Sequence, residues 1–463
     1  MAQAVERRKS GLDGYFKISE RGSSVRAEIV AGLTTFMTMA YILFLNPLIL
    51  SGLPPEATLT VTALAAGLAT LAMGLYANYP FAIAAGLGLN AVVALQLVGQ
   101  NGLSYPEAMG VVVTEGLVIL LLVLTKFRQA VMDAVPLALK HAIAVGIGLF
   151  IAIIGFVDAG FVTFDNPGVP LQLGTFGELQ GWPVGVFVIG FLITLWLFLR
   201  RVRGALLFGI LITTVIAVIV NEAFLDGEGF GTAANFGRFA DVPSGDNFSL
   251  IGDFSFGFFS VLGILPAILA VFTLMLSDFF DTMGTAVGLG KEMGAVDSEG
   301  RLPGVDRVLV VDSGAAALGG AFSASSNTTY IESASGIADG GRTGLTAVTV
   351  GVLFLLSILF APLALIVPFQ AAAPALVLVG FLMMRTVREI PWEEIEVAVP
   401  AFLTIVVMPF TYSITNGIGA GFVSYVFLKL VSGKSREISP MMYTAAAGFL
   451  IYFAIFYVRD WVS

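Results

Sequence analysis

The chain has 463 residues, 57% of them hydrophobic and 12% charged, with a mean hydropathy of +0.93. That charged fraction is about half the soluble norm, and a water-soluble fold of this balance would expose large apolar patches, so the pattern asks for a bilayer as solvent. The absence of cysteine and the single histidine exclude disulfides, thiolate sites and His-based metal clusters; the net charge of −9, with no basic stripe, sets nucleic acid aside.

In chain order, residues 1–26 form a polar N-terminal segment carrying Arg7, Arg8, Lys9, Lys17, Arg21 and Arg26. Its first apolar run begins too late for a cleavable signal peptide. Leu12 to Ser19 reads as a short interfacial amphipathic helix. Apolar segments follow at 27–50, 59–77, 81–99, 109–125, 134–157, 183–199, 205–224, 260–290, 308–322, 323–338, 344–367, 372–386, 397–412, 414–431 and 441–458. Many reach the ~20 residues needed to span a ~30 Å hydrocarbon core.

Lys and Arg collect on cytoplasmic loops. With the N-terminus inside, the inner loops hold Lys126 and Arg128, then Arg200, Arg201 and Arg203, then Lys291, Arg301 and Arg307. Arg342, then Arg385 and Arg388, then Lys434 and Arg436 continue the series, whereas the outer loops hold Arg238 and little else. Much of the acid falls on the outer side, at Asp158, Asp165, Glu178, Asp226, Glu228, Asp241, Asp246 and Asp253. The alternation holds through fourteen spans, and 441–458 is left as a surplus that crosses, lies at the interface, or marks an earlier helix split wrongly.

Two segments break the helical pattern, Pro80 to Ala91 in the third and Gly319 to Ser333 in the tenth. Both are dense in small and polar residues. Non-helical backbone at membrane depth survives only where protein or a cavity satisfies it. Interruptions seven spans apart imply two inverted halves with a site between them. The expected fold is therefore an all-α polytopic membrane protein.

The strongest chemical feature is Ser277-Asp278-Phe-Phe-Asp281-Thr-Met-Gly-Thr285 in the eighth segment. Carboxylates at i and i+3 share a helix face, and an Asp in a membrane helix faces a cavity or a partner. Asp312 in the ninth segment is either a structural partner of a broken helix or a site residue. Glu332 follows the Ser/Thr/Asn run as a helix resumes, either as a cap or as a ligand contact. A carboxylate accepts parallel N–H bonds, as from a purine edge, and one kept from water holds its proton more firmly, which suits a proton carrier. Asn327, Thr328 and Thr329 offer neutral donors and acceptors. Asn46 precedes Pro47 as a helix stop or a lining group, and Asn90 faces the first broken stretch. Glu115 reads equally as an interhelical partner or a cavity group. Lys140 and His141 read as interfacial, and Arg342 in its glycine turn as a headgroup anchor.

These strings resemble the AzgA-like hypoxanthine/guanine/adenine permeases, a branch of the nucleobase–ascorbate transporter (xanthine/uracil permease) superfamily. The resemblance is carried by Ala31 to Pro47, Asp278 to Thr285, Ser326 to Gly336, Gly340 to Thr346 and Met408 to Gly419, across nearly the whole chain. It implies about fourteen transmembrane segments in a seven-plus-seven inverted repeat, with short strands in segments three and ten. It further implies a core domain from 27–125 and 260–367, and a gate domain from 134–224 and 372–458. Its substrate carboxylates fall on Asp281 and Glu332, and its buried acid on Asp312. Thr285, Asn90, Thr329 and Asn327 complete the expected substrate contacts, with Asn46 and Thr328 lining. The uracil branch carries a histidine at the position of Thr285, so Asp278, with Asp281, Asp312 and Glu332, is the candidate for proton coupling.

The resemblance implies a purine base and a proton as partners, a plasma-membrane location with the N-terminus cytoplasmic, often a homodimer, and neither cofactor nor enzymatic chemistry. An inorganic-anion or pyrimidine/xanthine carrier of the same fold is the nearest alternative, with a passive channel behind it. A membrane-embedded aspartyl protease lacks its Gly-x-Gly-Asp signature here, the nearest string being Gly86-Leu-Gly88-Leu89.

Overall fold

The computed structural model describes residues 11–125, 135–164, 171–230, 233–235, 241–296 and 302–462. Arg7, Arg8, Lys9, Lys126, Arg128, Asp165, Arg238 and Arg301 lie outside them. Among the described residues, ten helices are long and apolar enough to cross a membrane, and the remaining segments are shorter.

The first half begins with α1 (Val25–Met39), started by Ser24, whose hydroxyl accepts from the Ala27 N–H at 3.2 Å. The segment breaks at Ala40 and Tyr41 and resumes as α2 (Ile42–Ile49). The stop expected before Pro47 is therefore not there. Pro47 sits inside α2, and Asn46 is held by the protein interior instead. Then come α3 (Pro55–Ala72), strand β1 (Ile83–Ala85), and α4 (Leu87–Ala91), which runs on as wider π-type turns over Val92–Gln100. Next is α5 (Tyr105–Leu124), whose first turn is locked by Ser104 N–H donating to Glu107 Oε2 at 2.9 Å. α6 (Leu137–Asp158), α7 (Trp182–Leu199) and α8 (Ala205–Phe224) complete this half, with a small hairpin of β2 (Val162–Thr163) and β3 (Gln172–Leu173) after α6.

The second half repeats the order. α9 (Ile264–Glu292) has 29 residues, about 44 Å at 1.5 Å each, so it outruns the bilayer core. α10 (Val305–Ala321), β4 (Asn327–Thr329) and α11 (Ser333–Ala338) follow. α12 (Gly344–Ser357), α13 (Phe369–Met383), α14 (Ile395–Thr411) and α15 (Ile414–Val431) close the repeat. The surplus stretch is a separate helix, α16 (Pro440–Val462), packed on α15 and α9.

The halves meet as equals at two places. β1 pairs antiparallel with β4, in the register Ile83 to Thr329, Ala84 to Thr328 and Ala85 to Asn327. This satisfies backbone that lipid could not. The fifth and twelfth segments, α6 and α13, pack on each other through Gly148 and Gly380. A Cβ at Gly148 would lie 2.7 Å from the Gly380 carbonyl oxygen, so only glycine permits this approach. Elsewhere α3 and α1 pack on α12, α5 on α10, α7 on α8, and α14 on α15 and α6.

Two expectations about the basic side are refined. Arg342 is tied into its own turn. Its guanidinium donates to the Ile337 and Gly341 carbonyls, at 2.5 and 2.8 Å, and its N–H to Glu28. His141 lies 3.5 Å from Glu389, at the ends of α6 and the turn after α13.

Candidate substrate site

The two strands are each three residues long, so the helices that follow start in the middle of the bundle. A cavity of about 100 Å³ opens at this crossing. It is smaller than the ~300–1,000 Å³ of drug-sized clefts and suits a compact solute. Asp281 and Thr285 line it from α9, and Thr328, Thr329 and Glu332 from β4 and the start of α11. Asp281 lies deep in the protein, yet its side chain is exposed because it projects into this void. The opposite wall is apolar, formed by Ile147 of α6 with Val379 and Met383 of α13.

Glu332 occupies the N-cap position of α11 but makes no side-chain cap. Its carboxylate instead accepts a hydrogen bond from the Tyr41 hydroxyl at 2.6 Å. Tyr41 itself lines the cavity from the break between α1 and α2. Tyr330 stands near it, with ring centroids 6.4 Å apart, and donates to the Ala85 carbonyl at 2.5 Å, tying the two strands together. These tyrosines and the apolar wall were not singled out from the sequence. Tyr41 did carry a signal, a lone phenol where the first apolar run stops being one helix.

Other acidic and amide groups lie behind this surface. Asp312 accepts from the Thr282 hydroxyl at 2.5 Å and the Thr329 hydroxyl at 2.6 Å, and Thr282 also meets the Thr328 hydroxyl at 2.8 Å. Asp312 thus bolts α9 and β4 to α10 rather than lining the cavity. Asn46 donates to the Thr62 hydroxyl at 2.7 Å and the Ala324 carbonyl at 3.0 Å, and accepts from Asn90 at 2.7 Å. Asn90 and Asn327, expected at the substrate, do not line the cavity. Asn90 is spent on Asn46, and Asn327 is buried against Gly319 of α10.

Asp278 is also away from the cavity. One turn before Asp281, it is buried against Glu115 of α5, and the two carboxyl groups are within hydrogen-bonding reach. Drawn as ionised groups, both are acceptors only. Accordingly, among the described residues, both Asp278 oxygens and Glu115 Oε1 have no donor, and Glu115 Oε2 receives Ser326 Oγ at 3.4 Å. A larger void of about 400 Å³ lies among α5, α9 and α16, but its lining is almost wholly apolar and offers no recognising group.

A family model described as a permease family, Xan_ur_permease, matches residues 26–420. The chain belongs to the xanthine/uracil permease family. Among similar proteins, this permease is 40% identical to "Guanine/hypoxanthine permease PbuO" of Bacillus subtilis (strain 168), over 94% of this chain and 99% of the relative. It is 37% identical to "Adenine permease AdeQ" of Escherichia coli (strain K12), over 96% and 97%. The transmembrane domain of a cyanobacterium bicarbonate transporter, BicA, superposes with a TM-score of 0.61 at 18% identity, covering 86% of the permease and 97% of that domain. At that identity the likeness speaks for the fold alone, and it agrees with seven-plus-seven segments. The permease is a multi-pass membrane protein and not an enzyme.

Proposed function

We propose that the chain imports purine nucleobases across the plasma membrane by proton symport, with its N-terminus in the cytoplasm. The observation carrying this reading is that Asp281 and Glu332 face one cavity where the two broken segments cross. A purine edge carries neighbouring N–H donors, and carboxylates are the acceptors that bind them most strongly. Thr285 and Thr329 supply hydroxyls beside them, and Tyr41 with the apolar wall offers surfaces to a flat ring. The names of the guanine/hypoxanthine and adenine permeases support the same substrate class.

In this reading the core is 27–125 with 260–367, and the gate is 134–224 with 372–458. The apolar wall from α6 and α13 then belongs to the gate, and the carboxylates to the core. Coupling groups are drawn from Asp278, Asp281, Asp312 and Glu332. An inorganic-anion carrier is disfavoured, because among the described residues the cavity lining has two carboxylates and no Lys, Arg or His.

Uptake of labelled hypoxanthine, guanine and adenine by cells expressing the full chain tests this. Wild-type uptake should collapse with the proton gradient, and Glu332→Gln should lose nearly all of it at unchanged expression. Uptake of bicarbonate or sulfate with no purine uptake would reject the reading.

A further inference from the structure

Resting on the purine-symport reading, we propose that Glu115 and Asp278 form a one-proton site, separate from the purine carboxylates, whose protonation couples transport to the proton gradient. Glu115 has no place in the substrate cavity, yet it is fully buried in the middle of α5, and Asp278 is equally buried on α9. The two helices pack on each other with these acids in contact. Among the described residues neither carboxylate enters an ion pair. The other charged groups facing them are also acids, Asp312 from α10 and Asp281 one turn along α9.

Among the described residues, three of the four carboxyl oxygens lack any donor. A single proton held between the groups cures this at once. It turns one acid into a donor, gives the other an acceptor's role, and removes the repulsion of two like charges. Such a pair titrates as a unit. With the proton gone, two anions would stand in contact away from water, and α5 and α9 could keep their spacing only by admitting water or a cation.

The pair is wired to the cavity by short links. Ser326 donates to Glu115, and its carbonyl accepts from the Gly86 N–H at 2.9 Å, just where β4 and β1 meet. On the other side, Asp281 lies one helical turn from Asp278. Loss of the proton therefore acts on both elements that carry the purine carboxylates. The proton arrives from bulk water and leaves to it, with no covalent step.

The test uses the full chain in liposomes with labelled hypoxanthine. With one proton per purine, a one-unit inward pH gradient drives about tenfold accumulation in the wild type. Glu115→Gln should exchange internal for external hypoxanthine within about twofold of wild type, yet accumulate none under the gradient. Accumulation by E115Q equal to wild type overturns the proposal, as does wild-type accumulation driven by sodium instead of protons. Where E115Q fails to exchange, the infrared band of a protonated carboxyl near neutral pH decides. Its presence in the wild type and loss in Asp278→Asn support the pair, and an unchanged band overturns it. A wild type that exchanges no purine base would reject the function proposed above, while the infrared measurement still judges the pair.

Discussion

Tyr41 and Glu28 show how single polar groups are used inside this bundle. The Tyr41 hydroxyl is the donor that the structure gives Glu332, so it fixes the direction in which that carboxylate's other oxygen points. Hydrogen bonds to charged groups contribute roughly 1.5–3 kcal/mol when buried, and partial access to water in the cavity reduces this. Tyr41→Phe should weaken hypoxanthine binding by about 1–2 kcal/mol, roughly tenfold in apparent affinity measured by competition uptake. Unaltered affinity would mean that Glu332 needs no orienting partner. Glu28 is wholly buried in the first turn of α1 and accepts from the Arg342 and Thr343 N–H groups and from the Thr346 hydroxyl at 2.6 Å. Glu28→Ala strands three donors and should cost roughly 2–4 kcal/mol. Thermal unfolding in detergent reads that loss, and an unchanged transition would show that water replaces the carboxylate.

At the scale of elements, the pairing of α6 with α13 depends on two glycines that nothing larger can replace. Gly380→Val should force the helices apart and lower stability by roughly 1–3 kcal/mol, seen as a lower unfolding temperature of the purified protein. An unshifted transition would show that this contact carries no packing. The broken third and tenth segments were legible in the sequence, because glycine, serine and asparagine crowd where a lipid-facing helix needs bulk apolar residues. The antiparallel pairing of β1 with β4 bears that out. Which side chains of a three-residue strand face the cavity was not legible, since no run of alternation exists to fix the register. Asn327 was therefore expected at the substrate and lies behind it. Ile147, Val379 and Met383 were invisible for another reason, being apolar residues in apolar spans. Glu115 was visible as an intramembrane acid, but its partner lies 163 positions away on another helix, beyond any local spacing rule.

At the scale of the molecule, the two groups of helices proposed as core and gate are joined by few polar links. Gln96 in the third segment donates to Thr415 at the start of α15, and Gln100 reaches the Thr411 and Tyr412 carbonyls at 3.2 and 3.0 Å. At the other end Arg203, mostly exposed, pairs at 2.5 Å with Asp339, which is largely covered, and solvent on the arginine side screens the ion pair. Weak links of this kind suit surfaces that part during each cycle. The chain has no cysteine, so two can be introduced without background. A bifunctional thiol reagent joining Gln96→Cys to Thr415→Cys should stop hypoxanthine uptake, and cleaving the linker should restore it. Full-rate uptake in the linked protein would show that these segments never separate.

The crossing of β1 and β4 also bears on how the protein is made. Among the described residues, each strand has a single neighbour, contributed by the opposite half of the chain. Ile83 is held within its own half by the Thr70 hydroxyl, but until residue 329 has left the ribosome the backbone groups of β1 that pair with β4 have nothing to bind in hydrocarbon, an expensive condition for any inserted segment. The first seven spans must therefore wait, with their third member held near water or a chaperone, for synthesis of the tenth. Neither half of this permease is a free-standing module.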